Sequence, residues 1–214
     1  MILYIDGADA VGKSTLAKNL AKWLECDYVD LPLYDYFLDY ATIDDKFALF
    51  KSLVKAGYRD IVSDTEKAWL NALGLIHVEQ KYKDKNAVVV RSLISSAMFN
   101  KNEETEDLYN FLFEHKYGVG YSIVLDVNDQ TRLERMTKRG LGEEEVKNGK
   151  VIHYNVKKAM EYSQSKGCNA FYIDTSYLSQ EEVFEIAKQA ILKNETLCNV
   201  FNLKNNKQLE RNQL

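Results

Sequence analysis

Short apolar runs and helix-like repeats alternate along the chain. The runs are too short for helices and apolar enough to be buried, so they predict strands. They cover residues 2–5, 28–30, 87–90, 121–127 and 170–174. Apolar residues at helical spacing, such as Leu16, Leu20 and Leu24, predict helices between these runs. The helices cover residues 13–25, 44–56, 64–82, 103–116, 129–139, 151–166 and 179–192.

This alternation predicts an α/β domain, with a parallel sheet of about five strands and helices on both faces. Residues 1–192 supply the domain. Residues 33–43 contain many Tyr and Asp without a clear period, so no element is predicted there. A polar stretch with glycines at about 139–149 predicts a small lid. The Asn- and Lys-rich residues 193–214 predict a polar C-terminal tail.

Composition narrows the classes of function. The chain has 214 residues, of which 46% are hydrophobic and 28% charged, and its net charge is −4. This mild acidity disfavours binding to free nucleic acid, which normally requires a basic surface. No apolar run reaches the length of about 18 residues needed to span a bilayer, and the first residues lack the basic segment of a signal peptide. Because the three cysteines are scattered, we expect no disulfide framework and a protein of the reducing cytoplasm.

One motif carries a specific chemistry. Residues 7–15 read Gly-Ala-Asp-Ala-Val-Gly-Lys-Ser-Thr and fit G-x-x-x-x-G-K-[ST], between an apolar strand and an amphipathic helix. Such a loop turns backbone N–H groups and a helix N-terminus toward phosphate, while Lys13 adds charge and the Ser14 hydroxyl can ligate Mg²⁺. The motif predicts binding of Mg·ATP. The predicted ATP-binding residues are Gly7, Ala8, Ala10, Val11, Gly12, Lys13, Ser14 and Thr15.

Other features favour a kinase among the proteins with this loop. The chain lacks the Asn-Lys-x-Asp run of guanine-specific GTPases and the strand-terminal Asp-Glu pair of many ATPases. Instead, Arg91 directly follows an apolar strand. Arg132, Arg135 and Arg139 lie beside the predicted lid. Because guanidinium groups clamp phosphates and neutralise developing charge, this set predicts phosphoryl transfer between two phosphate groups.

Three segments resemble the thymidylate kinases and related deoxynucleoside monophosphate kinases. Residues 7–15 are close to that family's G-x-D-x-x-G-K-S-T. Residues 91–100, Arg-Ser-Leu-Ile-Ser-Ser-Ala-Met-Phe-Asn, are similar to its D-R-Y-x-x-S-S-x-A-Y-Q. Residues 131–140 and the polar loop after them resemble the helix and lid whose arginines close over ATP. The resemblance spans residues 1–192 and implies a P-loop kinase fold with a small nucleotide as substrate.

The resemblance also implies roles for individual residues. Asp9 would contact the 3′-hydroxyl of the acceptor sugar, and Arg91 would hold the acceptor phosphate. Catalysis would rest on Lys13 and Arg91, together with one or both of Arg135 and Arg139. Residues implied near the acceptor nucleoside are Trp69, Ser95, Ser96, Phe99 and Asn100. Members of this family are often dimers, so a homodimer is an expected form.

One departure from the family motif bears on the acceptor. Val90 stands where the family has an Asp, directly before Arg91. A nucleoside kinase needs a carboxylate to remove a proton from the 5′-hydroxyl, whereas a monophosphate already carries an anionic oxygen. The missing carboxylate therefore favours a deoxynucleoside monophosphate, dTMP-like or with a modified base, unless Asp6 or Asp126 substitutes for it. A nucleoside or polynucleotide kinase, and a nucleotide-binding protein without turnover, remain as alternatives.

Overall fold

A five-stranded parallel sheet in the order β2-β3-β1-β4-β5 forms the centre of the structure. The structure is a computed structural model that describes residues 1–40, 63–138 and 156–203. The register places Ile5 opposite Val90 and Gly7 opposite Leu125. The strands are β1 (Ile2–Gly7), β2 (Asp27–Val29), β3 (Ala87–Val90), β4 (Tyr121–Asp126) and β5 (Asn169–Asp174). This architecture confirms the predicted α/β fold class.

Helices connect the strands, as parallel strands require. Ser63 and Ser179 begin two of these helices with capping boxes, in which the serine and a glutamate three residues later satisfy each other's backbone N–H groups. The described helices are α1 (Lys13–Trp23), α2 (Pro32–Tyr40), α3 (Asp64–Lys81), α4 (Leu93–Asn100), α5 (Glu106–Glu114), α6 (Asp129–Lys138), α7 (Val156–Ser165), α8 (Gln180–Lys193) and α9 (Glu195–Val200). A short 3₁₀ turn, Glu103–Thr105, precedes α5.

The core follows the sheet. Every residue of β1 and of β3 is buried, as expected for central strands covered on both faces. A hydrogen bond of 2.6 Å from the Tyr4 hydroxyl to Glu79 ties β1 to α3. Burial raises the pKa of this glutamate above its usual range. At the far edge, β5 leaves Phe171 and Tyr172 partly exposed.

Three elements differ from the sequence prediction. Residues predicted to have no element form α2, which Pro32 begins at the one helical position where proline is favoured. Residues 93–100, interpreted only as a motif, form α4. At the C-terminus, α9 and the turn after it belong to the packed body instead of a polar tail, because Leu197, Phe201 and Leu203 are buried in the core.

Several predictions fall outside the described residues. They concern the helix at 44–56, the lid at 139–149, the start of the helix predicted at 151 and the tail beyond 203. Within the described ranges, no helix is long and apolar enough to cross a bilayer. In the described part of the chain, Cys26, Cys168 and Cys198 form no disulfide.

Candidate active site

A polar cleft opens where β1, β2 and β3 end. In parallel α/β sheets, ligands bind at the carboxyl edge, where the loops after the strands meet. The cleft has a volume of about 190 Å³. Its lining comes from the loop after β1, the first residues after β2 and the end of β3, namely Asp9, Ala10, Gly12, Lys13, Ser14, Asp30, Leu31, Val90 and Arg91.

The loop between β1 and α1, residues 7–15, has the local structure that the motif predicts. Gly7 has φ 133°, and a Cβ there would lie 2.3 Å from the carbonyl oxygen of Leu125, so only glycine fits. Gly12 has φ 103° and begins α1. Ala10 also has a positive φ, 67°, although it carries a side chain. The strand, tight loop and helix N-terminus follow each other as phosphate binding requires.

Lys13 lies in the cleft and is largely buried. Its Nζ donates a hydrogen bond to the carbonyl oxygen of Ala8 and lies 3.7 Å from the Asp9 carboxylate. Burial and the nearby charge of Arg91 lower the pKa of Lys13 to about 8, although Asp9 opposes the shift. Two cations therefore face one small cleft, an arrangement that an anionic ligand would stabilise.

Ser14 and Asp30 form a second polar pair in the cleft. The Ser14 hydroxyl donates a hydrogen bond of 2.9 Å to Asp30 Oδ1. A hydroxyl beside a carboxylate is a hard oxygen set of the kind that binds Mg²⁺. Sequence reasoning named Ser14 for this role and missed Asp30. The signal was present, because an acidic residue ends the run that predicted β2.

Arg91 and Asp9 come from different strands and meet at the mouth of the cleft. The guanidinium of Arg91 donates to Asp9 Oδ1 over 2.8 Å and lies 5.8 Å from the ring centre of Phe99. Arg91 has φ 76°, and its backbone N–H donates to the carbonyl of Ile5. The structure thus brings together three residues that the resemblance had placed around an acceptor.

The hydroxyls of α4 point to other partners. Ser95 donates to the fully buried carboxylate of Asp6. Ser96 shares a hydrogen bond of 2.9 Å with the Tyr109 hydroxyl, and the amide of Asn100 donates to the backbone carbonyl of Ser96. Neither serine nor Asn100 lines the cleft. Both hydroxyls are buried in contacts that hold α4, and a role for Ser95 and Ser96 beside the substrate stays a prediction.

Three more candidates lie away from the cleft lining. Trp69, on α3, is 59% exposed and does not contribute to the cleft. The carboxylate of Asp126, one suggested substitute for the missing base, accepts from the Val127 N–H and the Tyr172 hydroxyl. The other, Asp6, is completely buried and accepts from the Ser92 N–H. Neither acid reaches the cleft.

The arginines of α6 contact the phosphate loop and its surroundings. Nε of Arg132 donates to the carbonyl oxygen of Asp9 over 3.2 Å. Arg135 donates to both the hydroxyl and the carbonyl of Thr175, at 3.0 and 2.8 Å. The Thr175 hydroxyl lies 3.2 Å from the carbonyl oxygen of Val11. Arg139, also predicted to act on phosphate, falls outside the described residues.

Comparisons with known proteins agree with this geometry. A family model described as an AAA domain matches residues 4–158. Among solved structures, the deoxyadenosine kinase of M. mycoides with bound dATP is 18% identical, with a TM-score of 0.55 over 90% of this chain and 100% of its own. The thymidylate kinase of Ehrlichia chaffeensis is 13% identical, with a TM-score of 0.55 over 91% and 98%. That of Candida albicans is 14% identical, with a TM-score of 0.50 over 92% of each chain.

These identities are too low to show more than a shared fold, and no curated protein sequence matches the chain. The family match, in contrast, extends over well more than half of the sequence and includes the phosphate loop and Arg91. The chain therefore belongs to the AAA-domain family, and its fold is that of the P-loop kinases.

Proposed function

We propose that this protein transfers the γ-phosphoryl group of Mg·ATP to a deoxynucleoside 5′-monophosphate, with ADP and the diphosphate as products. The observation that carries the proposal is the placement of Lys13 and Arg91 in one cleft beside the phosphate loop. Cations at both ends of a transferred phosphoryl group neutralise charge that spreads over its oxygens in the transition state. A kinase that joins two phosphates needs this arrangement.

On the donor side, the loop amides and Lys13 hold the β- and γ-phosphates. Ser14 and Asp30 are the residues that would hold the metal ion. When bound, Mg²⁺ would act as a Lewis acid that neutralises negative charge on the phosphates. Lys13 already lies among the loop residues, and its release from the carbonyl of Ala8 lets the ammonium group follow the γ-phosphate.

On the acceptor side, Arg91 and Asp9 form a donor and an acceptor next to each other. The guanidinium suits a phosphate, and the carboxylate suits a sugar hydroxyl. Their ion pair of 2.8 Å keeps the guanidinium at the mouth of the cleft. A monophosphate oxygen is already anionic near neutral pH, because its second pKa is about 6, so the attack needs no base.

Asp30 favours a second candidate, a deoxynucleoside as acceptor. Val90 leaves β3 without a carboxylate, but Asp30 places one in the same cleft from β2. A carboxylate within reach of a 5′-hydroxyl can act as general base. Structures similar in fold include both a deoxyadenosine kinase and thymidylate kinases, so this fold serves both classes of acceptor.

The decisive experiment measures ADP release from Mg·ATP against a panel of acceptors. The panel contains the four common deoxynucleoside monophosphates, dUMP, 5-substituted dUMPs and the corresponding nucleosides. Activity with monophosphates and none with nucleosides supports the proposal and identifies the base. The reverse pattern supports the second candidate. ADP release that no acceptor stimulates contradicts both kinase proposals.

Two variants test the assignment of the acceptor site. Arg91→Ala should reduce kcat/KM for a monophosphate by about a hundredfold while ATP binding changes little. Asp30→Asn distinguishes the candidates. With a nucleoside acceptor it should remove the acidic limb of the pH–rate profile, and with a monophosphate that profile should keep its shape. Asp27→Asn, at the exposed start of the same strand, is the matched control.

A further inference from the structure

The phosphate loop contains a backbone conformation that its residue disfavours. Ala10 has φ 67°, in the left-handed region, and it lines the cleft. For a residue with a Cβ this conformation is unfavourable, whereas glycine adopts it freely. The surrounding structure must therefore hold the peptide before Ala10 in place.

Arg132 makes the contact that can do this. Its side chain is 7% exposed, and its Nε donates to the carbonyl oxygen of Asp9, which belongs to the same peptide unit as the Ala10 N–H. A trans peptide is planar, so its carbonyl and N–H point in opposite directions. When Arg132 holds the Asp9 carbonyl on the α6 side, the Ala10 N–H must point away from α6.

The peptide between Val11 and Gly12 has a similar contact. The carbonyl of Val11 faces the Thr175 hydroxyl at 3.2 Å, and the same hydroxyl lies 2.9 Å from the carbonyl of Asp126. A Val11 carbonyl in this direction turns the N–H of Gly12 in the opposite direction. Two carbonyls of the loop thus face groups outside the cleft. Loops of this kind bind phosphate through N–H groups, and an inward carbonyl would repel it.

We propose that Arg132 is a positioning residue, which holds the Asp9–Ala10 peptide in its left-handed conformation so that the loop amides face the phosphates of the donor nucleotide. It acts through the loop backbone and does not touch the ligand. This inference rests on the proposed function, because it takes the loop as the site of Mg·ATP. It predicts that the importance of Arg132 depends on the residue at position 10.

A double-mutant cycle tests this dependence. Mg·ATP is titrated into the full-length protein by calorimetry. Arg132→Met should weaken binding about tenfold, the size expected when a left-handed residue with a Cβ loses its support. In the Ala10→Gly background, the same substitution should weaken binding by less than about threefold, because glycine needs no support there. Lys138→Met, which removes an exposed cation from the same helix, should leave the affinity unchanged.

Each outcome decides the inference. Equal losses in both backgrounds overturn it, because an arginine that contacts phosphate directly would matter regardless of position 10. Unchanged affinity after Arg132→Met also overturns it. Unfolding temperatures are measured for every variant, and Arg132→Leu, which also lacks a side-chain donor, replaces Arg132→Met in the cycle if that protein does not fold. If the unaltered protein does not bind Mg·ATP, the proposed function fails; if it binds and the cycle shows no coupling, only the inference fails.

Discussion

The two walls of the cleft are built in different ways. The phosphate loop is fixed by glycine geometry and by hydrogen bonds to backbone carbonyls from Arg132 and Thr175. The opposite wall begins with Asp30 and continues into α2, whose position depends on α3. There the first turn of α2 lies against Gly74, where an added Cβ would be 2.4 Å from the Leu33 nitrogen.

A cluster of charged side chains completes the contact between α2 and α3. We call it the α2–α3 charge cluster, and its members are Asp35, Asp39, His77 and Lys81. The Lys81 ammonium lies 3.0 Å from the carboxylate of Asp35 and 2.9 Å from that of Asp39. Two acids and a histidine could hold a metal ion. However, the lysine already bonds to the same carboxylate oxygens, so we interpret the cluster as a network of ion pairs.

This difference separates a loop wall, formed by residues 7–15, from a helix wall, formed by Asp30 and α2. Triphosphate binding requires several amides in fixed directions, and buried backbone contacts provide such rigidity independently of salt. Partly exposed ion pairs are weaker and depend on pH and ionic strength. The loop wall should therefore tolerate changes in ionic strength but not in sequence. The helix wall should respond to both.

The largest expected effect is the loss of Lys13. Lys13→Ala removes the ammonium group that neutralises the transferred phosphoryl, so kcat should fall by about a thousandfold or more. The fold should persist, because the side chain makes its contacts within the loop. Initial rates of ADP formation and the unfolding temperature check both statements. Lys22→Ala, an exposed lysine at the end of the same helix, should retain activity. Substantial turnover by Lys13→Ala would place the chemistry elsewhere.

A large effect on stability is expected at Gly74. Helix propensity alone predicts that Gly74→Ala stabilises α3 by about 1 kcal/mol. The contact with Leu33 opposes this, and overpacking against backbone should produce a net loss of about 2–3 kcal/mol in the free energy of unfolding. Urea denaturation measures the balance. Gly120→Ala, where the nearest atom would lie at 3.4 Å, should cost less than about 1 kcal/mol. A stabilised Gly74→Ala protein would show that the two helices are not in backbone contact.

The two walls were also unequally predictable from the sequence. The apolar runs predicted the parallel sheet because central strands buried on both faces are continuously hydrophobic. The phosphate loop was recognisable because its chemistry depends on glycines and a lysine at fixed spacing. Arg91 was found because it directly follows such a run. Each of these signals is local in the chain.

The missed features depend on tertiary contacts. The helix α2 has no clear hydrophobic period because its residues contact different partners. Asp35 and Asp39 bond to Lys81, and Pro32 is buried at the start of the helix. Ser95 and Ser96 matched a motif, but their hydroxyls bond to Asp6 and to Tyr109. Asp6 lies far earlier in the sequence, and Tyr109 lies on another helix. The contact of Arg132 with the Asp9 carbonyl spans 123 positions and leaves no trace in local pattern.

A moderate effect of pH is expected at Lys13, in the loop wall. Lys13 has a pKa of about 8 without a ligand, and bound phosphates favour its protonated form. Affinity for Mg·ATP should therefore be constant below pH 8 and decrease by up to about tenfold per pH unit above it, as binding takes up a proton. Titrations from pH 6.5 to 9.5 measure this slope. In the Lys13→Met protein the slope should disappear, and a slope that persists would come from another group.

The smallest effect is expected at the α2–α3 charge cluster. Burial lowers the pKa of Lys81, but the hydrogen bonds that its ammonium group donates to Asp39 and Asp35 raise it further than burial lowers it. The contacts with Lys81 and His77 lower the pKa of Asp39 although burial opposes the shift. The stabilisation from the raised lysine is present below about pH 10.4 and is lost above it. That from the lowered aspartate is present above its ordinary pKa of 3.8 and is lost as the pH falls below. The range from pH 5 to 9 lies between the ordinary pKa values of aspartate, about 3.9, and lysine, about 10.4. Both contributions should therefore be complete within it.

Lys81→Met should reduce the free energy of unfolding at pH 7 by about 0.5–1 kcal/mol, because solvent screens a side chain that remains partly exposed. The loss should shrink in 1 M salt, and it should also shrink below or above that pH range. Lys83→Met is the matched control, since Lys83 is 70% exposed and its nearest carboxylate is 3.9 Å away. Its stability should not change. A loss that salt does not reduce would mean that the stem of Lys81 contributes by packing. The helix wall would then resemble the loop wall more closely than its ion pairs indicate.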